Sequence, residues 1–165
     1  MLETTLCCDE QNHWNELDWQ FPSPFIVLWH ITHEDIDHYK HANNTAYVKQ
    51  LERTAWAHSH QLGLHFEDYE KCDRAMVIQH HDIHYHNPAY EDETIACATW
   101  ITKCDKRFRL QRQFQFISTQ SHKTLLTATT DFVCIKLSSG APRPMPEHFA
   151  SIYGAQVVDS TQLSD

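Results

Sequence analysis

The chain has 165 residues and a formal net charge of −9 with its histidines neutral, which suits one domain with a real core and is short for two. The acidic balance argues against general nucleic-acid binding, because phosphate contacts need a basic face. No apolar run is long enough to cross a bilayer and the first ten residues lack a basic-then-apolar leader, so a cytoplasmic protein without a membrane span is expected.

Residues 1–24 carry Trp14, Leu17, Trp19 and Phe21 among polar neighbours and end in Pro22-Ser23-Pro24, which breaks regular structure. An N-terminal extension that docks by its aromatic side chains is expected there. An apolar strand follows, Phe25 to Ile31, and leads into a knot of acids and imidazoles, Glu34, Asp35, Asp37, His38 and His41. That knot meets Asn43 and Asn44, where the spacing predicts the start of a long helix. Asparagine caps a helix start, while the orphan N–H groups and the dipole of the first turn favour negative charge just outside it. An acyl oxygen becoming an oxyanion suits that position.

At 3.6 residues per turn Asn44, Tyr47, Val48, Leu51, Ala55, His58 and Leu62 share one side of this helix, and Gly63 is a natural stop. Such a stripe is more often core than acyl pocket. Trp56, on the other side, suggests a subunit contact. Residues 63–75 read as a connection with a helical turn. Strand-like segments then run from Met76 to His86, Thr94 to Lys103, Arg107 to Ser118 and Leu125 to Leu137, the third alternating Phe108, Leu110, Phe114 and Phe116 against Arg107, Arg109, Gln111, Gln113 and Gln115. Short links between them favour antiparallel neighbours. The inventory is α+β: a five-stranded antiparallel sheet wrapped around one long central helix, with no internal repeat.

The six cysteines, Cys7, Cys8, Cys72, Cys97, Cys104 and Cys134, show no C-x-x-C spacing and read as reduced thiols, some filling core space. Lys103, Lys106, Arg107, Arg109 and Arg112 crowd one stretch and either receive a ligand phosphate or form a solvated strand face. His80, Asp82, His84 and His86 fall on one strand face, chemically adequate for zinc, but successive ligands spaced about 7 Å apart reach one ion poorly.

The run D-I-D-H-Y-K-H-A-N-N-T-A-Y followed by L-E resembles the D-x-D…H-V-N-N…Y…L-E signature of hot-dog-fold acyl thioesterases in the 4-hydroxybenzoyl-CoA thioesterase superfamily, particularly the long-chain acyl-CoA branch. Ile83 to Asp92 and Pro142 to Glu147 are similar to two further family segments, so the likeness spans about residues 25–147. It implies a hot-dog thioesterase domain over 25–147 and a C-terminal tail over 148–165. It further implies homodimers whose sheets join side by side, often homotetramers, with active sites between subunits and no bound cofactor or metal. By the same resemblance Asp37 is the catalytic carboxylate, the N–H of Asn44 polarises the thioester carbonyl, and His41 stands where plant acyl-carrier-protein thioesterases place a histidine. Tyr39 occupies the position of those enzymes' asparagine. Lys40 replaces a family glycine, which adds a positive-φ penalty if that backbone is needed, and Glu91 replaces another before Asp92.

A carboxylate and an oxyanion hole suffice for a thioester, because the thiol leaves without an obligatory acid. Asp37 either attacks the carbonyl or orients a water. Asn43 shapes the loop and caps the helix. Tyr47, Glu52, Arg107 and Arg109 are candidate substrate contacts, Glu52 by positioning water and the arginines by receiving phosphate. The expected substrate is an acyl-CoA or an acyl-carrier protein. A hot-dog module that binds such a ligand without turnover is the alternative from another class, and a metal-dependent hydrolase using the histidine-rich strand is a third.

Overall fold

The computed structural model describes residue 14 and residues 16–159. Strand β1 (Phe25–His30) is followed by a single 3-10 turn (His33–Asp35), helix α1 (Asn44–Gln61) and a short helix α2 (Phe66–Lys71). Strands β2 (Arg74–Tyr85), β3 (Thr94–Cys104), β4 (Arg109–Ser118) and β5 (Thr124–Lys136) then form one antiparallel sheet in the order β1-β3-β4-β5-β2, and helix α3 (Glu147–Ala155) closes the described chain. This is the α+β arrangement expected, one long helix against a five-stranded sheet. The order leaves β1 and the long strand β2 as the two edges, β1 bonded only to β3 and β2 only to β5.

Helix α1 starts where the Asn43 side chain accepts from the Thr45 N–H at 2.7 Å, a cap for an otherwise orphan donor. Its buried face is Tyr47, Gln50, Leu51, Thr54, His58 and Ser59. Val48, expected on that face, is exposed. The helix is thus turned so that four of its six buried side chains are polar, and these need partners inside the protein. Thr54 finds one in the Gln50 carbonyl at 2.8 Å, and Ser59 meets the Tyr153 hydroxyl at 3.1 Å.

Strand β3 is buried on both faces. Toward α1, Ile95 and Cys97 join a cluster with Trp29, Tyr47, Leu51 and Phe114. On the opposite face Ala96, Ala98 and Trp100 are covered by Trp14, Leu17, Trp19 and Phe21. The Trp100 indole donates to the Pro22 carbonyl at 2.9 Å, and the Gln115 amide bonds both Asp18 and Gln20. The aromatic extension therefore docks as expected over its described residues, while positions 1–13 lie outside them.

Residues 148–155, expected to begin a tail, lie in helix α3, whose Phe149, Ala150 and Tyr153 enter a second cluster with Leu64, Tyr69, Ile101 and Leu110. Trp56 packs on this cluster, its ring 5.5 Å from that of Tyr69 and 6.3 Å from that of Phe66. Helix α2 folds back against one side of Trp56, which stays half-buried and borders a cavity.

Candidate active site

Between β1 and α1 the chain makes a small hairpin. Ile36 and Ala42 form a bridge, the Asp37 N–H donates to the His41 carbonyl at 3.0 Å, and the Lys40 N–H donates to the Asp37 carbonyl at 2.9 Å. A three-residue hairpin loop of this kind needs its last residue in the left-handed region. Lys40 takes it, at φ 61°, so the sequence carries a lysine where the missing glycine would have been free of strain. Glu91 carries no such burden, since the positive φ there, 67°, falls on Asp92.

The loop after β2 holds the hairpin from below. The Ala42 N–H donates to the carbonyl of fully buried Ala89 at 2.9 Å, and the Asp92 N–H donates to the Ile31 carbonyl at 3.0 Å. Thus the second quoted segment, Ile83 to Asp92, supports the first through its backbone.

A groove of about 500 Å³ opens at this junction, bordered by Asp37, Tyr39, His41, Asn44 and Tyr47 and by Tyr85 to Pro88. Asp37 is half-buried. Its Oδ1 accepts from the Tyr39 N–H at 2.8 Å, and Oδ2 has no hydrogen bond or ion pair among the described residues. At the helix start the Thr45 N–H is taken by Asn43, and the Ala46 and Tyr47 N–H groups donate to the Asn43 carbonyl. The Asn44 N–H alone among these four has no acceptor among the described residues, and Asn44 lines the groove. Uncommitted donors at a helix start favour an oxyanion.

His41 borders the groove with its ring 5.2 Å from that of Tyr90, edge to face. Tyr47 is buried at the groove floor between Trp29 and Tyr85, and burial pushes its hydroxyl pKa well up. It therefore acts as a neutral wall. Tyr85, His86, Asn87 and Pro88 were missed as groove residues, although the quoted Ile83–Asp92 segment contains all four.

Glu52 does not join this groove. It borders a separate cavity between α1 and β2, eight residues and so about 12 Å along the helix from Asn44. Arg107 and Arg109 are exposed around a turn where the Asp105 carboxylate accepts three backbone N–H groups. Arg109 reaches Gln79 at 3.4 Å, six residues and about 20 Å along β2 from Tyr85. Within one chain, then, neither arginine stands at the groove. On the histidine-rich strand His84 contacts Asp82 at 3.0 Å and His80 contacts Asp131 at 3.7 Å. Among the described residues no group of three ligands is placed to hold a metal ion.

Residues 31–152 match the family model described as the thioesterase-like superfamily. No curated protein matches the chain. Among solved structures the fold resembles a 1,4-dihydroxy-2-naphthoyl-CoA thioesterase from Synechocystis (17% identity, TM-score 0.72, covering 80% of this chain and 96% of that one). It also resembles a Staphylococcus aureus protein solved in complex with CoA (15%, TM-score 0.75, 86% and 90%). A third is the 12:0-ACP thioesterase of Umbellularia californica (13%, TM-score 0.72, 82% and 54%). At such identities the likeness is one of fold.

Proposed function

Because the chain belongs to the thioesterase-like superfamily, we propose that it hydrolyses an acyl-CoA thioester to the free acid and CoA, with Asp37 as the reacting carboxylate and the Asn44 N–H as oxyanion donor. One observation carries this reading: a single groove is lined both by Asp37, which keeps one carboxylate oxygen uncommitted, and by Asn44, whose N–H has no acceptor among the described residues. Water attacks the thioester carbon as Oδ2 of Asp37 takes its proton, and the carbonyl electrons move onto the oxygen facing Asn44. Collapse of that tetrahedral species breaks the C–S bond, and the proton held on Asp37 passes to the departing thiolate. Direct attack by Oδ2 would instead give a mixed anhydride that water then opens. A well-aimed N–H donor contributes about 3 to 4 kcal/mol to such a step.

Asn43 holds the loop and caps the helix, Tyr47 and Tyr85 wall the groove, and His41 orients the water. CoA is favoured over an acyl-carrier protein because the CoA-bound neighbour shares the fold over the larger part of both chains. The exposed edge of β2, with Ile78 45% exposed, supports a homodimer joined through that strand, and light scattering separates it from a tetramer. Four free cysteines among the described residues favour a cytoplasmic setting. The test is thiol release from a panel of acyl-CoAs by the wild-type chain and by Asp37→Asn. The substitution should lower kcat at least a hundredfold, and retention of full activity would remove Asp37 from the chemistry.

A further inference from the structure

Arg112 is only 2% exposed. It sits on β4 between Leu110 and Phe114 in the strand's alternation, so its side chain points inward with theirs. Its Nη1 donates to Nδ1 of His58 at 2.8 Å and its Nη2 to the Ser59 hydroxyl at 3.1 Å, while the guanidinium carbon lies 6.0 Å from the centre of the Tyr153 ring. Arginine only donates, so Nδ1 of His58 carries no proton. Burial, and then the Arg112 charge, pull the His58 pKa down to about 3. Every one of these partners is neutral. Among the described residues no carboxylate pairs with Arg112.

A buried cation without a counter-charge is expensive, and what repays it is an anion with matching hydrogen-bond geometry. Arg112 borders a cavity of about 270 Å³, near the lower end of small-molecule pockets, about 300 to 1,000 Å³. Leu51, Trp56, Phe114 and Phe132 make its walls apolar, and exposed Glu52 and Ile78 also line it. Ser59, Thr130 and Tyr153 add hydroxyls beside the guanidinium. The cavity runs along the same helix and strand as the Asp37 groove, an apolar sleeve with a fixed positive charge inside it.

We propose that this cavity receives the acyl group and that Arg112 binds a carboxylate at its far end, so that the chain prefers thioesters of dicarboxylic acids. The proposal rests on the thioesterase reading above. A planar guanidinium takes a carboxylate through two parallel N–H bonds, which an ammonium does not reproduce. A chain ending in a methyl group leaves the charge uncompensated, and that difference sets the selectivity.

The experiment compares kcat/KM for pairs of acyl-CoAs of equal length, one ending in methyl and one in carboxylate, across a range of lengths. For at least one length the wild-type chain should favour the carboxylate member tenfold or more. Arg112→Met should abolish or invert that preference, and Arg112→Lys should retain part of it. Ratios near one at every length in the wild type overturn the proposal, as does a preference that survives in Arg112→Met. If Arg112→Met does not fold, the wild-type ratios decide alone. Absence of turnover with every thioester refutes the thioesterase reading instead, and the Arg112 site is then judged by binding. Free linear dicarboxylates raising the wild-type Tm more than monocarboxylates of the same length support it, and equal shifts overturn it.

Discussion

Asp37 and His41 are joined through the backbone, N–H to carbonyl at 3.0 Å, yet no hydrogen bond links their side chains: the carboxylate accepts from the Tyr39 N–H and the imidazole leans on Tyr90. In the proposed mechanism His41 is thus a helper bordering the groove, with Asp37 as the base. His41→Ala should lower kcat less than tenfold, well short of the loss in Asp37→Asn. A loss in His41→Ala equal to that of Asp37→Asn would make the imidazole the base.

The left-handed Lys40 costs stability without contributing a contact that a glycine would lose. A non-glycine residue there is strained by about 1 kcal/mol, part of which the freer unfolded glycine chain cancels. Lys40→Gly should raise stability by a few tenths to about 1 kcal/mol in urea unfolding and leave kcat within about twofold. Lys40→Val, β-branched at positive φ, should lower stability.

His58 makes stability depend on pH in a defined direction. Its folded pKa, about 3, lies below the ordinary value of 6.5, so the unfolded chain binds a proton that the folded chain refuses. The contribution is complete above about pH 6.5 and shrinks as the pH falls toward 3, amounting to about 2 kcal/mol between pH 7 and pH 5. Burial lowers the His81 pKa too, which acts in the same sense, whereas the lowered Asp73 and Asp105 act only below the ordinary carboxylate range. The difference between wild type and His58→Gln, a change that keeps an acceptor for Arg112, isolates the single imidazole. Equal losses in the two proteins would contradict it.

The described part of the extension should contribute to stability and not to chemistry. Trp100 lies under Trp19 and Phe21, with ring centres 6.0 and 5.5 Å away, on the sheet face opposite the helix. Trp100→Ala should cost about 3 to 5 kcal/mol, and Trp19→Ala less, while kcat of the folded fraction stays unchanged in both.

Much of this was legible in the residues. The period of two in Arg107–Ser118 and the Asn43–Asn44 start of the helix depend on local rules, and they placed the sheet, the helix and the groove. Lys40 was legible as a strained position because a glycine is what that loop asks for. Arg112 was not, although its even number put it with Leu110 and Phe114. Grouping it by charge with Arg107 and Arg109 hid its place on the inward face. The face of α1 was read with Val48 inside, whereas the buried face takes in Gln50, Thr54 and Ser59, polar side chains that find partners inside the protein. Glu52 and the two outer arginines needed tertiary distances, which spacing along the chain does not supply.

The central claim is that the Asn44 N–H stabilises the developing oxyanion, and one substitution removes that donor and little else. Proline fits the first position of a helix, where no intrahelical bond is lost, and Asn43 already has the extended backbone that must precede it, at φ −77° and ψ 148°. Asn44→Pro should therefore keep the wild-type Tm within a few degrees and lose about 10²- to 10³-fold in kcat, while Asn44→Ala, which keeps the N–H, stays near wild type. Full turnover in Asn44→Pro with an unchanged Tm would contradict the oxyanion hole at this helix start.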